Sequence, residues 1–175
     1  MKRLTSTILI FALLMSVVPG LTGCKKQVLK NWYLGALDYY GNGVKNGFYN
    51  EDEYPNFKVS SDLKNKSNKA GYLLYDLDGD GVDELLIGLI DNSAKTKFTS
   101  IVIYNSDLGP YCTFSGSNGD YFYLCANGII KQEITSFRTN VPELYYQFDS
   151  KNNSFTQIEG DGKYFPMLWE LTEFT

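Results

Sequence analysis

The segment YLLYDLDGDGVDELLIGLI, residues 72–90, consists of two apolar runs separated by an acidic loop that contains glycine. Tyr72–Tyr75 and Leu85–Ile90 are rich in residues that favour strands. Gly79 and Gly81 tolerate a positive φ and allow the backbone between the runs to turn sharply. We therefore expect two strands that flank a tight loop.

The loop carries hard oxygen ligands at alternate positions. Calcium binds six to eight such oxygens from carboxylates and backbone carbonyls. The sequence therefore predicts one calcium ion, with magnesium less suited to the site. The predicted ligands are Asp76, Asp78, Asp80, the Val82 carbonyl and Glu84. The alternative is an acidic turn without an ion, but its close carboxylates would repel one another.

The loop is not an EF-hand, because the twelfth position requires an acidic residue and holds Ile87. It resembles the D-x-D-G-D-G-x-x-[DE]-L calcium motif of FG-GAP and VCBS-like extracellular repeats. Asp83 departs from that motif, because proline or a neutral residue is usual at its position. Tyr75–Gly88 also resembles a motif of poorly characterised lipoproteins of Gram-positive bacteria. That resemblance implies a helix before a single such loop and β-hairpins after it. The loop is not repeated, so a β-propeller is not expected.

The sequence after the loop predicts further strands and hairpins. Asn127-Gly128 is a strong hairpin-turn signal, and the apolar tail Phe165–Trp169 is expected to pack. The predicted strands are Thr99–Tyr104, Asp120–Ala126, Ile129–Ile134, Glu143–Phe148 and Phe155–Ile158. Consecutive hairpins indicate an antiparallel meander, and the absence of long crossovers excludes a doubly wound fold.

One amphipathic helix is predicted before the loop. Apolar residues recur at helical spacing from Val28 to Tyr40, and Gly41 and Gly43 are expected to end the helix. Gly35 inside it costs about 1 kcal/mol relative to alanine. Residues 41–71 are poor in apolar side chains, with a short strand expected at Phe57–Val59. The fold class is therefore α+β, with the N-terminal helix packed on an antiparallel β-meander.

The N-terminus has the layout of an export signal. Lys2 and Arg3 precede the apolar run Ile8–Val18, which is shorter than the ~20 residues that span a membrane. Leu21–Cys24 (LTGC) resembles the lipobox of bacterial lipoproteins. The resemblance implies cleavage before Cys24 and diacylglycerol on its sulfur. The alternative is a plain signal, or an uncleaved anchor, with Cys24 present by chance.

This interpretation divides the chain into a signal peptide (1–23), a lipidated N-terminus with a short tether (24–27) and one α+β domain (28–175). Without Lys2 and Arg3, the 16 basic residues fall to 14 against 20 acidic residues, a net charge of −6. With no basic stripe, nucleic acid is not an expected partner. We expect an extracytoplasmic protein held on the outer face of the cell membrane by lipid.

Cys112 and Cys125 remain after lipidation. In an exported chain they are a possible disulfide. The alternative is a pair of buried free thiols.

The sequence indicates no active site. It contains no histidine, which excludes His-based triads and typical catalytic zinc sites. We expect a non-enzymatic domain that binds an unknown extracellular protein or glycan. The aromatic content also allows a glycan- or peptidoglycan-binding module. A cell-envelope hydrolase, or an inhibitor of one, is the third class.

Overall fold

A computed structural model describes residues 32–49, 52, 54–116, 120–134, 143–160 and 163–175. Trp32–Thr175 forms a compact unit. The predicted signal, the lipidation site Cys24 and the first residues of the predicted helix lie outside the described residues. No helix within those ranges has the length and apolar character needed to cross a membrane.

Helix α1 precedes an antiparallel sheet, as predicted, and a short helix between them was not predicted. The helices are α1 (Leu34–Asn46) and α2 (Ser61–Lys64). The strands are β1 (Lys69–Tyr75), β2 (Glu84–Ile90), β3 (Phe98–Asn105), β4 (Gly109–Ser115), β5 (Tyr121–Leu124), β6 (Ile130–Glu133), β7 (Glu143–Asp149), β8 (Ser154–Ile158) and β9 (Thr172–Glu173). Their order is β8-β7-β6-β5-β3-β2-β1-β9, and β4 also pairs with β3.

The sheet has apolar side chains on both faces. Leu85, Ile87 and Leu89 of β2 share one cluster with Leu37 and Tyr40 of α1. The helix therefore covers one face, as expected for its amphipathic stripe. Leu86 belongs to a second cluster formed by β3, β5, β6 and β7, against which Trp169 of the C-terminal segment packs.

The predicted C-terminal end of α1 was wrong. The helix continues through Gly41 and Gly43 to Asn46, and Gly47 ends it at φ +104° with its N–H donated to the Gly43 carbonyl. A Cβ on Gly43 would collide with the Phe48 ring. Gly43 is thus needed for close packing inside the helix, and does not terminate it.

Gly35 is a weak point of α1 that a substitution can correct. A Cβ added there would meet no atom within 4 Å. We expect Gly35→Ala, in the first turn of α1, to stabilise the protein by about 0.4–1 kcal/mol, which raises Tm by roughly 1–4 °C for a domain of this size. Thermal unfolding followed by circular dichroism measures this shift. Gly43→Ala is the control and should lower Tm, because its methyl group meets Phe48.

Several local predictions were also wrong. Phe57–Val59 is not a strand, although the Lys58 carbonyl accepts a hydrogen bond from the Tyr40 hydroxyl at 2.9 Å. The sequence interpretation did not identify β4 or β9. In the tail, Trp169 packs as predicted, whereas Phe165 remains 75% exposed.

Cys112 and Cys125 are free and buried, so the predicted disulfide is absent. Cys112 lies opposite Val102 of β3, whereas Cys125 lies three residues beyond Phe122, which is opposite Phe98. In this antiparallel arrangement the two cysteines are about seven residues apart along β3, or about 23 Å. A disulfide requires Cα atoms within about 7 Å. Burial raises the pKa of both thiols, to about 11 for Cys125, which makes them unreactive.

Candidate metal centre

The acidic loop joins β1 to β2. Tyr75 pairs with Glu84 and closes the loop at its base. Gly79 and Gly81 adopt φ values of +79° and +87°, a region in which glycine carries no steric cost. The two glycines therefore reverse the chain without strain, as the sequence predicted.

Three carboxylates meet inside the loop. Asp76, Asp78 and Asp80 each place an oxygen so that all three atoms lie within 4.8 Å of one another. Asp76 accepts hydrogen bonds from the N–H groups of Gly79 (2.7 Å) and Gly81 (2.8 Å). These contacts hold the Asp76 carboxylate toward the centre of the loop.

The trio retains the capacity to coordinate a cation. The Asp80 N–H donates to Asp78 Oδ1 at 3.3 Å, and the Val82 N–H donates to Asp80 Oδ1 at 2.7 Å. A carboxylate offers about four acceptor positions. Asp76 accepts three backbone N–H groups, including that of Asp80 at 3.1 Å, and Asp80 accepts one, so both retain a free lone pair. The three close carboxylates therefore form a donor set that fits a metal ion.

Asp78 is held in its charged form. Partial burial raises the pKa of its carboxyl, but the hydrogen bonds from the Ser150 side chain and from the N–H groups of Ser150, Asp80 and Asp78 together outweigh burial and lower that pKa below its usual value. The Ser150 N–H donates to Asp78 Oδ2 at 2.8 Å. An ionised carboxylate is the form that binds a metal ion.

Glu84 stands apart from the trio. Its side chain is only 3% exposed, and Oε2 accepts a hydrogen bond from the Leu77 N–H at 2.9 Å. The pKa of Glu84 is raised to about 8, first by burial and then by the negative charges of Asp78, Asp80 and Asp76, against the lowering effect of the hydrogen bond from the Leu77 N–H. One Glu84 oxygen thus fixes the loop backbone. Its predicted role as a ligand, and that of the Val82 carbonyl, remain predictions.

Distant parts of the chain support the loop. The Leu77 side chain is 3% exposed and belongs to the second core cluster. Its carbonyl lies so close to Gly128 that a Cβ there would overlap it. The loop is therefore fixed between the β5–β6 turn, through Gly128, and the β7–β8 turn, through Ser150.

Sequence reasoning missed Ser150 and the role of Gly128. Ser150 contacts Asp78 through its backbone N–H and through its side chain, but it lies 72 residues further along the chain, so no local pattern links the two. Gly128 belongs to the predicted hairpin turn, although the turn spans three residues, Ala126–Gly128. The glycine signal identified the turn but not its contact with Leu77.

Comparisons with protein-family models, with curated proteins and with solved structures find no significant match to this chain. The class is therefore defined by its own geometry. It is an α+β protein whose antiparallel sheet carries, between its first two strands, three aspartates able to hold a metal ion.

Proposed function

We propose that this chain is a lipid-anchored extracytoplasmic protein whose single domain is stabilised by one calcium ion and serves as a non-enzymatic binding module. The observation that carries the proposal is the convergence of Asp76, Asp78 and Asp80 within 4.8 Å in a loop closed by paired strands. The resemblance of this loop to the calcium motif of FG-GAP and VCBS-like extracellular repeats supports the same metal. The lipobox-like segment Leu21–Cys24 supports the anchor.

Calcium would act on stability in this proposal. Three aspartates held together repel one another, and a divalent cation between them removes that repulsion. Extracellular calcium modules bind with dissociation constants of about 10⁻⁴ to 10⁻³ M. At about 1–2 mM free calcium and the tighter limit, binding contributes about 1.4–1.8 kcal/mol.

Titration calorimetry and thermal unfolding test the calcium site. Wild-type protein should bind one calcium ion, and its Tm should rise by a few degrees, reversibly with a chelator. Magnesium should replace calcium poorly. Asp80→Ala should abolish both responses, because it removes a central carboxylate of the trio.

Asp107→Ala is the matched control, since it removes the same charge from the exposed β3–β4 turn. It should keep the full calcium response. A wild-type protein that shows no calcium binding at millimolar concentration would contradict the proposal, as would an unchanged response in Asp80→Ala.

Glu133 and Glu143 form an acidic pair outside the loop whose contacts indicate a structural role and not a catalytic one. Glu133 and Glu143 face each other on β6 and β7 and are joined by Lys131, with Nζ at 3.3 Å and 2.7 Å from their oxygens. Burial raises the pKa of Glu133, but Lys95 and Lys131 outweigh burial and bring that pKa below its usual value; the Lys131 hydrogen bond lowers the pKa of Glu143 as well. A glycosidase general acid requires a raised pKa. This pair is therefore better suited to holding two strands together.

A further inference from the structure

A concave cleft lies beside α1, away from the acidic loop. Its volume is about 460 Å³, within the range of about 300–1,000 Å³ typical of small-molecule sites. Polar and aromatic side chains line it: polar residues and Tyr39 of α1, and Phe48 and the tyrosines that follow the helix. The proposed calcium site does not involve any of them.

The polar wall consists of Asp38, Asn42 and Asn46. These residues recur every four positions on α1, so they share one helix face, and all three are exposed. Asparagine amides both donate and accept hydrogen bonds, whereas a carboxylate only accepts. The wall therefore offers the mixed donors and acceptors that match a row of hydroxyl groups.

The aromatic wall consists of Tyr49 and Tyr54. Tyr49 is 71% exposed and Tyr54 is 44% exposed. The Tyr54 ring rests against the buried Tyr39 ring, with centroids 4.8 Å apart. A Cβ on Gly47 would lie 3.1 Å from the Tyr49 ring, so that glycine allows the ring to lie close to the backbone. The Tyr54 ring therefore packs on Tyr39 and the Tyr49 ring lies beside Gly47, while both rings remain exposed to solvent.

A pyranose has the surface that fits both walls. One of its faces presents C–H groups, which pack on an aromatic ring, and its rim presents hydroxyl groups that donate and accept hydrogen bonds. An acidic sugar fits less well, because Asp38 carries a negative charge and the net charge beyond residue 23 is −6. We infer that this cleft binds a neutral pyranose unit of a polysaccharide, stacked on Tyr49 and Tyr54 and hydrogen-bonded by Asn42 and Asn46.

Saturation-transfer NMR on the full chain tests the inference. The NMR sample contains the protein, calcium and a detergent that has no sugar headgroup. The probes are neutral tetrasaccharides of N-acetylglucosamine, β-1,4-glucose, α-1,4-glucose and β-1,4-mannose. At least one should bind with a dissociation constant of about 1 mM or below. Tyr49→Ala and Tyr54→Ala should each weaken that binding by about tenfold.

Two further variants separate loss of the site from loss of the fold. Gly35 lines the cleft, and a Cβ there meets no atom within 4 Å. Gly35→Leu should therefore abolish sugar binding while it keeps the calcium response and raises Tm. Phe165→Ala removes an exposed aromatic ring outside the cleft and should leave binding unchanged.

Three results would overturn the inference. One is the absence of binding by all four neutral probes at about 10 mM. Another is binding that persists unchanged in both Gly35→Leu and Tyr49→Ala. The third is a preference for a hexuronic-acid tetrasaccharide over every neutral probe. Because none of these results involves the acidic loop, they leave the proposed calcium site untouched.

Discussion

The Cys24→Ser protein is expected to lose its fatty-acid label and, wherever its signal is cleaved, its retention on membranes. The proposed anchor is diacylglycerol joined to the cysteine sulfur, and a serine hydroxyl cannot form that thioether. Two acyl chains hold a protein stably on a membrane, whereas a single chain gives only marginal binding. The expected change is therefore nearly complete. Metabolic labelling with an alkyne fatty acid, followed by membrane fractionation, measures it.

The remaining cysteines provide the control. Cys112 and Cys125 are both buried, so a protein with both replaced by alanine should keep its label and its membrane retention. An uncleaved signal could hold some Cys24→Ser protein at the membrane through its apolar run. The label is for that reason the decisive measurement. A Cys24→Ser protein that is still labelled and still membrane-bound would contradict the anchor.

Features encoded by neighbouring residues were predictable from the sequence. The trio Asp76, Asp78 and Asp80 comes together because alternate residues of a short loop are close whatever surrounds them. The strands that flank the loop were also predicted, since their apolar runs are local. The orientation of Glu84 was not predictable, because it depends on how deeply Leu77 enters the core.

Features set by distant contacts could not be predicted from local patterns. Gly43 was interpreted as a helix end, but its role is to leave space for the Phe48 ring. β4 contains Pro110, which has no N–H to donate to a strand ladder. The strand nevertheless pairs with β3 through the residues on both sides of Pro110. A disulfide between Cys112 and Cys125 was possible for an even pair of cysteines in an exported chain, whereas the register of β4 and β5 on β3 separates them.

Gly128→Ala is expected to destabilise the protein more than any other glycine-to-alanine substitution proposed for this chain. Gly128 has φ +73° and its missing Cβ position overlaps the Leu77 carbonyl. An L-residue in this region costs about 1–2 kcal/mol, and forcing the two backbones apart adds about 1–3 kcal/mol. A total of about 3 kcal/mol would lower Tm by roughly 6–12 °C.

Gly109→Ala isolates the contribution of the contact with Leu77. Gly109 has nearly the same backbone conformation, with φ +74°, but a Cβ there meets no atom within 4 Å. Gly109→Ala should therefore lower the free energy of unfolding only by the cost of the positive φ, about 1–2 kcal/mol. Since Leu77 lies between Asp76 and Asp78, Gly128→Ala should also weaken calcium binding, whereas Gly109→Ala should not. Equal losses of Tm in the two variants, with equal calcium affinity, would show that the β5–β6 turn does not support the acidic loop.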